Sequence, residues 1–406
     1  MIDFSVLSGH IQATAASIAA ATGLVYIAHD TIECDFEREW TASEQAGKKP
    51  RGKAKAGASQ GYTEVTILMH SACAMSRDGV YLGVVAAMFF TRDKLKGDDE
   101  LFRNETPKGL RPNSSECGPW IDVLRQAGEA VGDPGRCVHT ADRGGDSDDF
   151  INAAVELGTK FLIRIRDDRS TGDGAATTSD VVELSAVGGI HRLDVKDRDG
   201  NDDLAELEIR ACRGCINPPS QKGKRLAPLT VTVICAEEKG TPKNRKRIVW
   251  KLMTDLPVQS RGDAIEILES YALRWNIEDS RKAAKSGCKT ENSKLGPARR
   301  LTHVVATNCV VAWRVHYLRM LNQARPDAWP EEGLTSEEIE MLDAHAANDR
   351  GRSLKDTLSD YIREMAMLGG YLGRNNDRPP GKIVMARGMY TLILMCEGAR
   401  GRRKRS

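Results

Sequence analysis

Tyr271-Ala-Leu-Arg274-Trp-Asn-Ile-Glu278-Asp-Ser-Arg-Lys-Ala-Ala-Lys285 is the stretch from which the reading of this chain starts. On a helix advancing about 100° per residue, Arg274, Glu278 and Lys285 fall at about 300°, 340° and 320° from Tyr271. A phenol, two cations and a carboxylate therefore share one narrow stripe. Leu273, Ile277 and Ala284 lie near the opposite face, which predicts a continuous helical segment from 261 through 285 with its apolar side on a sheet. A solvated face with an Arg274–Glu278 ion pair four positions apart accounts for such a stripe. So does a polyanion threading past, where the cations and the phenol hold phosphate oxygens and the carboxylate holds a divalent metal at the scissile phosphate.

Upstream, residues 24–28 read as a buried strand delivering Asp30 at its end, and residues 137–141 as another strand ending at Asp142. Residues 62–72 and 80–90, separated by the turn-like Ser76-Arg-Asp-Gly79, form a meander with the first strand. Residues 120–131 and 150–157 have helical spacing, and 160–166 reads as a further strand. The succession predicts a mixed α/β sheet with helices packed on it. Residues 38–61, rich in Gly, Lys and Pro, predict an exposed loop. Between 167 and 254 short β-like runs (181–184, 204–211, 229–235, 248–253) alternate with Gly, Asp, Asn and Pro clusters, as expected of an inserted β subdomain. Helical patterns occupy 301–321 and most of 353–397. The predicted division is 1–166 and 255–325 for the two parts of the core, 167–254 for the insertion, and 326–406 for a helical C-terminal region.

Bulk properties narrow the classes. A chain of 406 residues can bury a substantial core. Its net charge of +2 averages acidic 146–149 with basic 48–55, so nucleic acid is not excluded. Arg400, Arg402, Arg403, Lys404 and Arg405 form a basic tail that could neutralise phosphates, though a frayed terminus is the simpler account. The cysteines are scattered and no secretory signal precedes them, so they read as free thiols in a reducing cytoplasm. Cys212 and Cys215 have CxxC spacing without a second ligand pair and read as a turn rather than a zinc site. The longest apolar run, 80–90, falls short of the roughly 20 residues a spanning helix needs, and 1–21 reads as an amphipathic helix, so no membrane anchor is expected. Asp146, Asp148 and Asp149 read as a helix start before they read as a metal site.

The pattern Tyr271-x2-Arg274-x3-Glu278-x6-Lys285 resembles the YREK signature of the insertion-sequence-four family of bacterial DDE transposases, and Trp250-Lys-Leu-Met-Thr254 followed by Leu256-Pro-Val258 resembles the strand and turn that precede it. The resemblance covers about residues 23–373 and implies a ribonuclease-H-like mixed sheet flanked by helices, with an inserted β subdomain and a helical C-terminal region. It implies that Asp30, Asp142 and Glu278 bind two Mg²⁺ or Mn²⁺ ions and catalyse cleavage of transposon ends and strand transfer through a hairpin intermediate. Tyr271, Arg274, Lys285, Arg164 and Arg143 are then expected to contact DNA. Trp250 sits where relatives stack an aromatic on a flipped base; a core tryptophan on a strand accounts for it equally. The implied partners are double-stranded DNA and a second copy of the chain, with residues 353–373 as a dimer element or a core helix pair. The family's helical end-recognition domain has no counterpart ahead of Asp30 in this sequence. Ile32 stands where relatives often have threonine, and Gly144-Gly145 where an acid is usual. Two other functions remain open: a catalytically silent DNA-binding or inhibitory remnant, and a ribonuclease-H-like nuclease without strand transfer.

Overall fold

A computed structural model describes residues 5–39, 62–90, 117–172, 174, 176–199, 201–216, 228–293, 295, 298–351, 353–374 and 377–403. Helix α1 spans Ser5–Ala20, and strand β1 spans Val25–Glu39, well beyond the predicted 24–28. Past His29 its burial alternates, with Ile32, Cys34 and Phe36 inward and Thr31, Glu33 and Asp35 partly exposed, and this period of two carries the strand onward. Asp30 thus lies within β1, not at its end, and Arg38 and Glu39 belong to the strand rather than to the predicted loop. Residues 40–61 of that loop, the basic run 48–55 and the terminal Lys404 and Arg405 lie outside the described residues.

The meander forms as expected. β2 (Tyr62–Ser76) pairs antiparallel with β1 along its whole length, from Val25↔Ser76 to Glu39↔Tyr62, and β3 (Tyr81–Phe90) pairs antiparallel with β2. Helix α2 (Cys117–Val131) leads to β4 (Cys137–Ala141), and α3 (Asp148–Glu156) to β5 (Lys160–Arg164). β4 lies parallel to β1 and β5 parallel to β4. The stretch 167–254 supplies β6 (Ser170–Thr171), β7 (Ala176–Thr177), helix α4 (Thr178–Glu183), β8 (Val187–Lys196), β9 (Asp202–Ile216), β10 (Leu229–Glu238) and β11 (Val249–Thr254). These strands continue the main sheet: β11 pairs with β5, and the order is β3-β2-β1-β4-β5-β11-β10-β9-β6-β7, with β8 on β9. The result is an α/β fold with a large mixed sheet, compatible with a ribonuclease-H-like arrangement.

One strand prediction in the insertion fails. Residues 181–184 belong to α4 and its C-cap, because Thr177 and Asp180 close a capping box that nucleates a helix despite the β-branched pair Val181-Val182.

The two faces of the sheet carry different partners. Val25 and Ile27 of β1, with Cys137 of β4, pack under α2 through Val123, Ala127 and Val131. On the same face His29, His70 and His139 are fully buried and joined in a row, flanked by Trp120 and Phe150. Thr31 Oγ1 lies 3.0 Å from His70 Nδ1, His70 Nε2 3.2 Å from His29 Nδ1, His29 Nε2 2.9 Å from His139 Nδ1, and His139 Nε2 3.4 Å from Cys137 Sγ. Burial lowers the pKa of all three imidazoles, that of His139 to about 3, so the row is neutral.

The other face, bearing Tyr26, Ala28, Ile32 and Val138, is covered by α5 (Arg261–Ala272), α6 (Trp275–Lys282) and α7 (Ala298–Ala324). Helices α8 (Ser336–Arg350), α9 (Leu358–Leu368) and α10 (Lys382–Arg403) complete the C-terminal region around Leu318, Leu342, Met365 and Met389. The apolar residues of α9, inside the predicted dimer element 353–373, are buried within the chain. Gly369 and Gly388 let α9 and α10 meet backbone to backbone: a Cβ on Gly388 would lie 1.9 Å from the Met365 carbonyl oxygen, and one on Gly369 2.0 Å from that of Val384. Among the described residues, no helix is long and apolar enough to cross a membrane.

Candidate functional site

β1 and β4 are last paired at His29↔Ala141. Asp30 and Asp142 each follow the last paired residue, the latter immediately past the end of its strand. Parallel pairing puts neighbouring strands roughly 4.8 Å apart and aims facing residues to the same side. The two acids therefore lie on the face covered by α5 and α6. Asp142 caps a 3-10 turn over Arg143–Gly145 by accepting a 2.8 Å hydrogen bond from the Gly144 amide. The Gly144-Gly145 pair has a steric cause, since a Cβ on Gly145 would lie 2.3 Å from that of Ala141 and 2.9 Å from the Trp120 ring.

The motif segment is not one continuous helix. α5 ends at Ala272, Leu273 and Arg274 form a turn, α6 runs to Lys282, and residues 283–287 widen into a π turn. The single stripe at 100° per residue is thereby corrected, because the turn resets the phase between Tyr271 and Glu278 and the π turn resets it again before Lys285. Tyr271, Arg274 and Glu278 nevertheless meet. Arg274 Nη2 donates to Glu278 Oε1, and its guanidinium carbon lies 5.8 Å from the Tyr271 ring centroid. Lys285 is set apart: Nζ pairs with Glu291 at 2.9 Å and donates to the Glu33 carbonyl at 3.0 Å, so it clamps the π turn to β1.

Tyr271 and Arg274 are only 4% and 6% exposed. Burial raises the Tyr271 pKa, against the lowering influence of Arg274 and Arg164, and the Asp142 carboxylate raises it further, so these groups share one electrostatic neighbourhood. The half-buried Trp250 of β11 stands with its ring centroid 5.7 Å from that of Tyr271. Arg164 donates from Nη2 to the Val249 carbonyl at 2.9 Å, and Arg143 is exposed on the turn behind Asp142.

Sequence reasoning missed Arg281. Its Nη1 lies 2.6 Å from Asp30 Oδ2, and its Nη2 donates to Ser71 Oγ at 3.1 Å. The spacing Glu278-x-x-Arg281, which puts the two residues on one face of α6, was the available signal. Four buried donors beside the acids make no hydrogen bond to the protein: Tyr271 Oη, Arg274 Nε and Nη1, and Arg281 Nη1, whose short approach to Asp30 is an ion pair without hydrogen-bond alignment. Buried donors normally find acceptors, so a cluster of such groups calls for an acceptor-rich ligand.

The other candidates resolve into structure. Asp146 and Asp148 both hold Arg169, at 2.6 and 3.1 Å, while Ser147 caps α3. Cys212 and Cys215 lie on β9, not on a turn, and their odd spacing sends them to opposite sides of the sheet. Among the described residues, no group of three His, Cys, Asp or Glu side chains is arranged to hold a metal ion. No family model matches the chain.

Proposed function

We propose that the chain is a DDE-type DNA transposase that cleaves and joins the phosphodiester backbone of transposon-end DNA, with Asp30, Asp142 and Glu278 as its acids. The observation that carries this reading is the placement of Asp30 and Asp142 one position past the last β1–β4 pair, beside buried donors of Tyr271 and Arg274 that have no acceptor. A phosphate supplies the missing acceptors: Arg274 Nε and Nη1 and Tyr271 Oη bind its oxygens through charge-assisted hydrogen bonds. Trp250, against Tyr271, offers an indole face for a base drawn out of the stack. Arg164 and Arg143 follow the backbone further along, and a second copy of the chain holds the other DNA end.

Three carboxylates have the chemistry of a site for Mg²⁺ or Mn²⁺, two of which would polarise the phosphate and the attacking oxygen. In the geometry described, Asp30 and Glu278 are held by arginines, so the acids do not fit a bound metal as they stand. The chain's own residues bind and orient the phosphate and exclude water around it.

The experiment is cleavage of linear DNA carrying the sequences that flank the gene, with Mn²⁺ present. Nicked, hairpin and joined products that vanish in Asp30→Ala, Asp142→Ala and Glu278→Ala support the proposal. Wild type and triple variant behaving alike would sink it. The Asp30–Arg281 pair favours one second reading, a catalytically silent DNA-binding remnant, which predicts DNA binding that survives in the triple variant with no product at all. Cleavage without hairpin or joined product assigns a plain nuclease instead.

A further inference from the structure

Asp30 is a partly buried acid on the central strand, with its side chain 19% exposed. One oxygen accepts from the Thr31 amide at 2.8 Å, and the other lies 2.6 Å from the guanidinium of Arg281, itself 13% exposed. Arg281 sits one turn beyond Glu278 on α6, so the same helix presents both the third acid and the cation that neutralises the first. A divalent ion bound to Asp30 Oδ2 at about 2.1 Å would enter the volume the guanidinium fills and place two positive charges in a partly desolvated site. The ion and the arginine therefore compete for that oxygen. Ser71 Oγ holds Nη2, so the arginine keeps one anchor if Nη1, whose approach to Asp30 is an ion pair without an aligned hydrogen bond, lets go.

The geometry points to Arg281 as an internal counter-ion that occupies the cation position at Asp30 and must release it before a divalent ion binds. The inference rests on the reading of Asp30, Asp142 and Glu278 as the acids of the site. It explains why two acids sit at the end of the β1–β4 ladder while, among the described residues, no three are arranged around a metal. Breaking a buried pair on one side leaves an uncompensated charge, so removing Arg281 leaves an acid that is destabilising alone and receptive to a cation. Affinity for the cation and occupancy by the arginine are then coupled, and the coupling is reciprocal.

The test is titration of the full-length chain with Mn²⁺, followed by the electron paramagnetic resonance of the free ion, in wild type, Arg281→Met, Arg281→Lys, Asp30→Asn and the Asp30→Asn/Arg281→Met double variant. Arg281→Met is expected to bind Mn²⁺ roughly tenfold more tightly than wild type. Its melting temperature should fall in metal-free buffer and rise on adding Mn²⁺ by more than that of wild type. The gain in affinity should disappear in the double variant. Should Arg281→Met fail to fold, Arg281→Lys replaces it: the point charge lacks the planar fork, and roughly threefold tighter binding is expected.

Equal Mn²⁺ affinity in wild type and the Arg281 variants, with Asp30→Asn still weakening binding, overturns the counter-ion role and leaves the site reading intact. Mn²⁺ binding that ignores Asp30→Asn in every background overturns both.

Discussion

The indole of Trp250 meets the phenol ring of Tyr271 edge to face, at 70° and 5.7 Å between centroids, and this contact ties a strand of the insertion to the helix that carries the motif. Such a pair contributes about 0.5–1.5 kcal/mol beyond its burial. On the proposed transposase function, Trp250→Ala is expected to preserve the first nick and to deplete hairpin and joined products, while Trp250→Phe retains most of both. Product analysis on denaturing gels decides; an equal loss of every product would reduce the indole to packing.

Tyr271→Phe removes a buried hydroxyl that has no hydrogen-bond partner. Chemical denaturation should find the variant as stable as wild type or more stable by about 1 kcal/mol, because desolvating an unpaired polar group is costly. If the hydroxyl holds a phosphate as proposed, DNA affinity, read by fluorescence anisotropy at fixed salt, should fall roughly threefold to tenfold. A large loss of stability would show that the hydroxyl holds the fold rather than a ligand.

Stability should depend on pH through the histidine row. His29, His70 and His139 have pKa values lowered by burial, while in the unfolded chain each takes up a proton near pH 6.5. Protons therefore bind the unfolded state first: the stabilisation is complete above about pH 6.5 and is lost as pH falls from there toward the folded-state values, about 3 for His139. Urea denaturation at pH 8, 6.5 and 5 should give flat stability across the upper interval and a decline across the lower one. His139→Gln should flatten the decline, and an unchanged slope would count against the row.

Gly388→Ala should destabilise the C-terminal region by about 1–3 kcal/mol, because the new methyl group would drive into the Met365 carbonyl oxygen at 1.9 Å. This outweighs the roughly 1 kcal/mol by which alanine favours a helix interior over glycine. A thermal melt checks it, with Gly398→Ala, where a Cβ meets nothing within 4 Å, as the control on the same helix.

Much of the sheet was legible because its strands are nearly pure patterns. Residues 137–141 are buried throughout and bounded by polar turns, so the strand and the acid after it could be read directly. The extension of β1 was equally written in the alternation of Ile32, Cys34 and Phe36, but charged residues between them hid it. Thr177 and Asp180 announced α4 through their capping spacing, which the β-branched residues obscured. The break at Leu273-Arg274 was not legible: neither residue is a helix breaker, and the backbone there tightens to bonds three residues apart, Arg274 to Tyr271, Asn276 to Leu273 and Ile277 to Arg274. Arg281 was hidden for another reason, since its partner lies 251 positions away in sequence and pairs with it only once the helix is laid across β1.

The row of imidazoles has a directional consequence. A neutral ring offers one donor nitrogen and one acceptor, and both nitrogens of His29 are used, toward His70 and His139. If His29 carries its proton on Nδ1, His139 and His70 must carry theirs on Nδ1 as well; if on Nε2, all three follow. Thr31 at one end and Cys137 at the other complete the same line. The three strands thus share a single binary variable, the polarity of the row. Reversing it by hops along the row needs one proton taken up at one end and one released at the other; the three rings then stay neutral while the dipole of the row turns over.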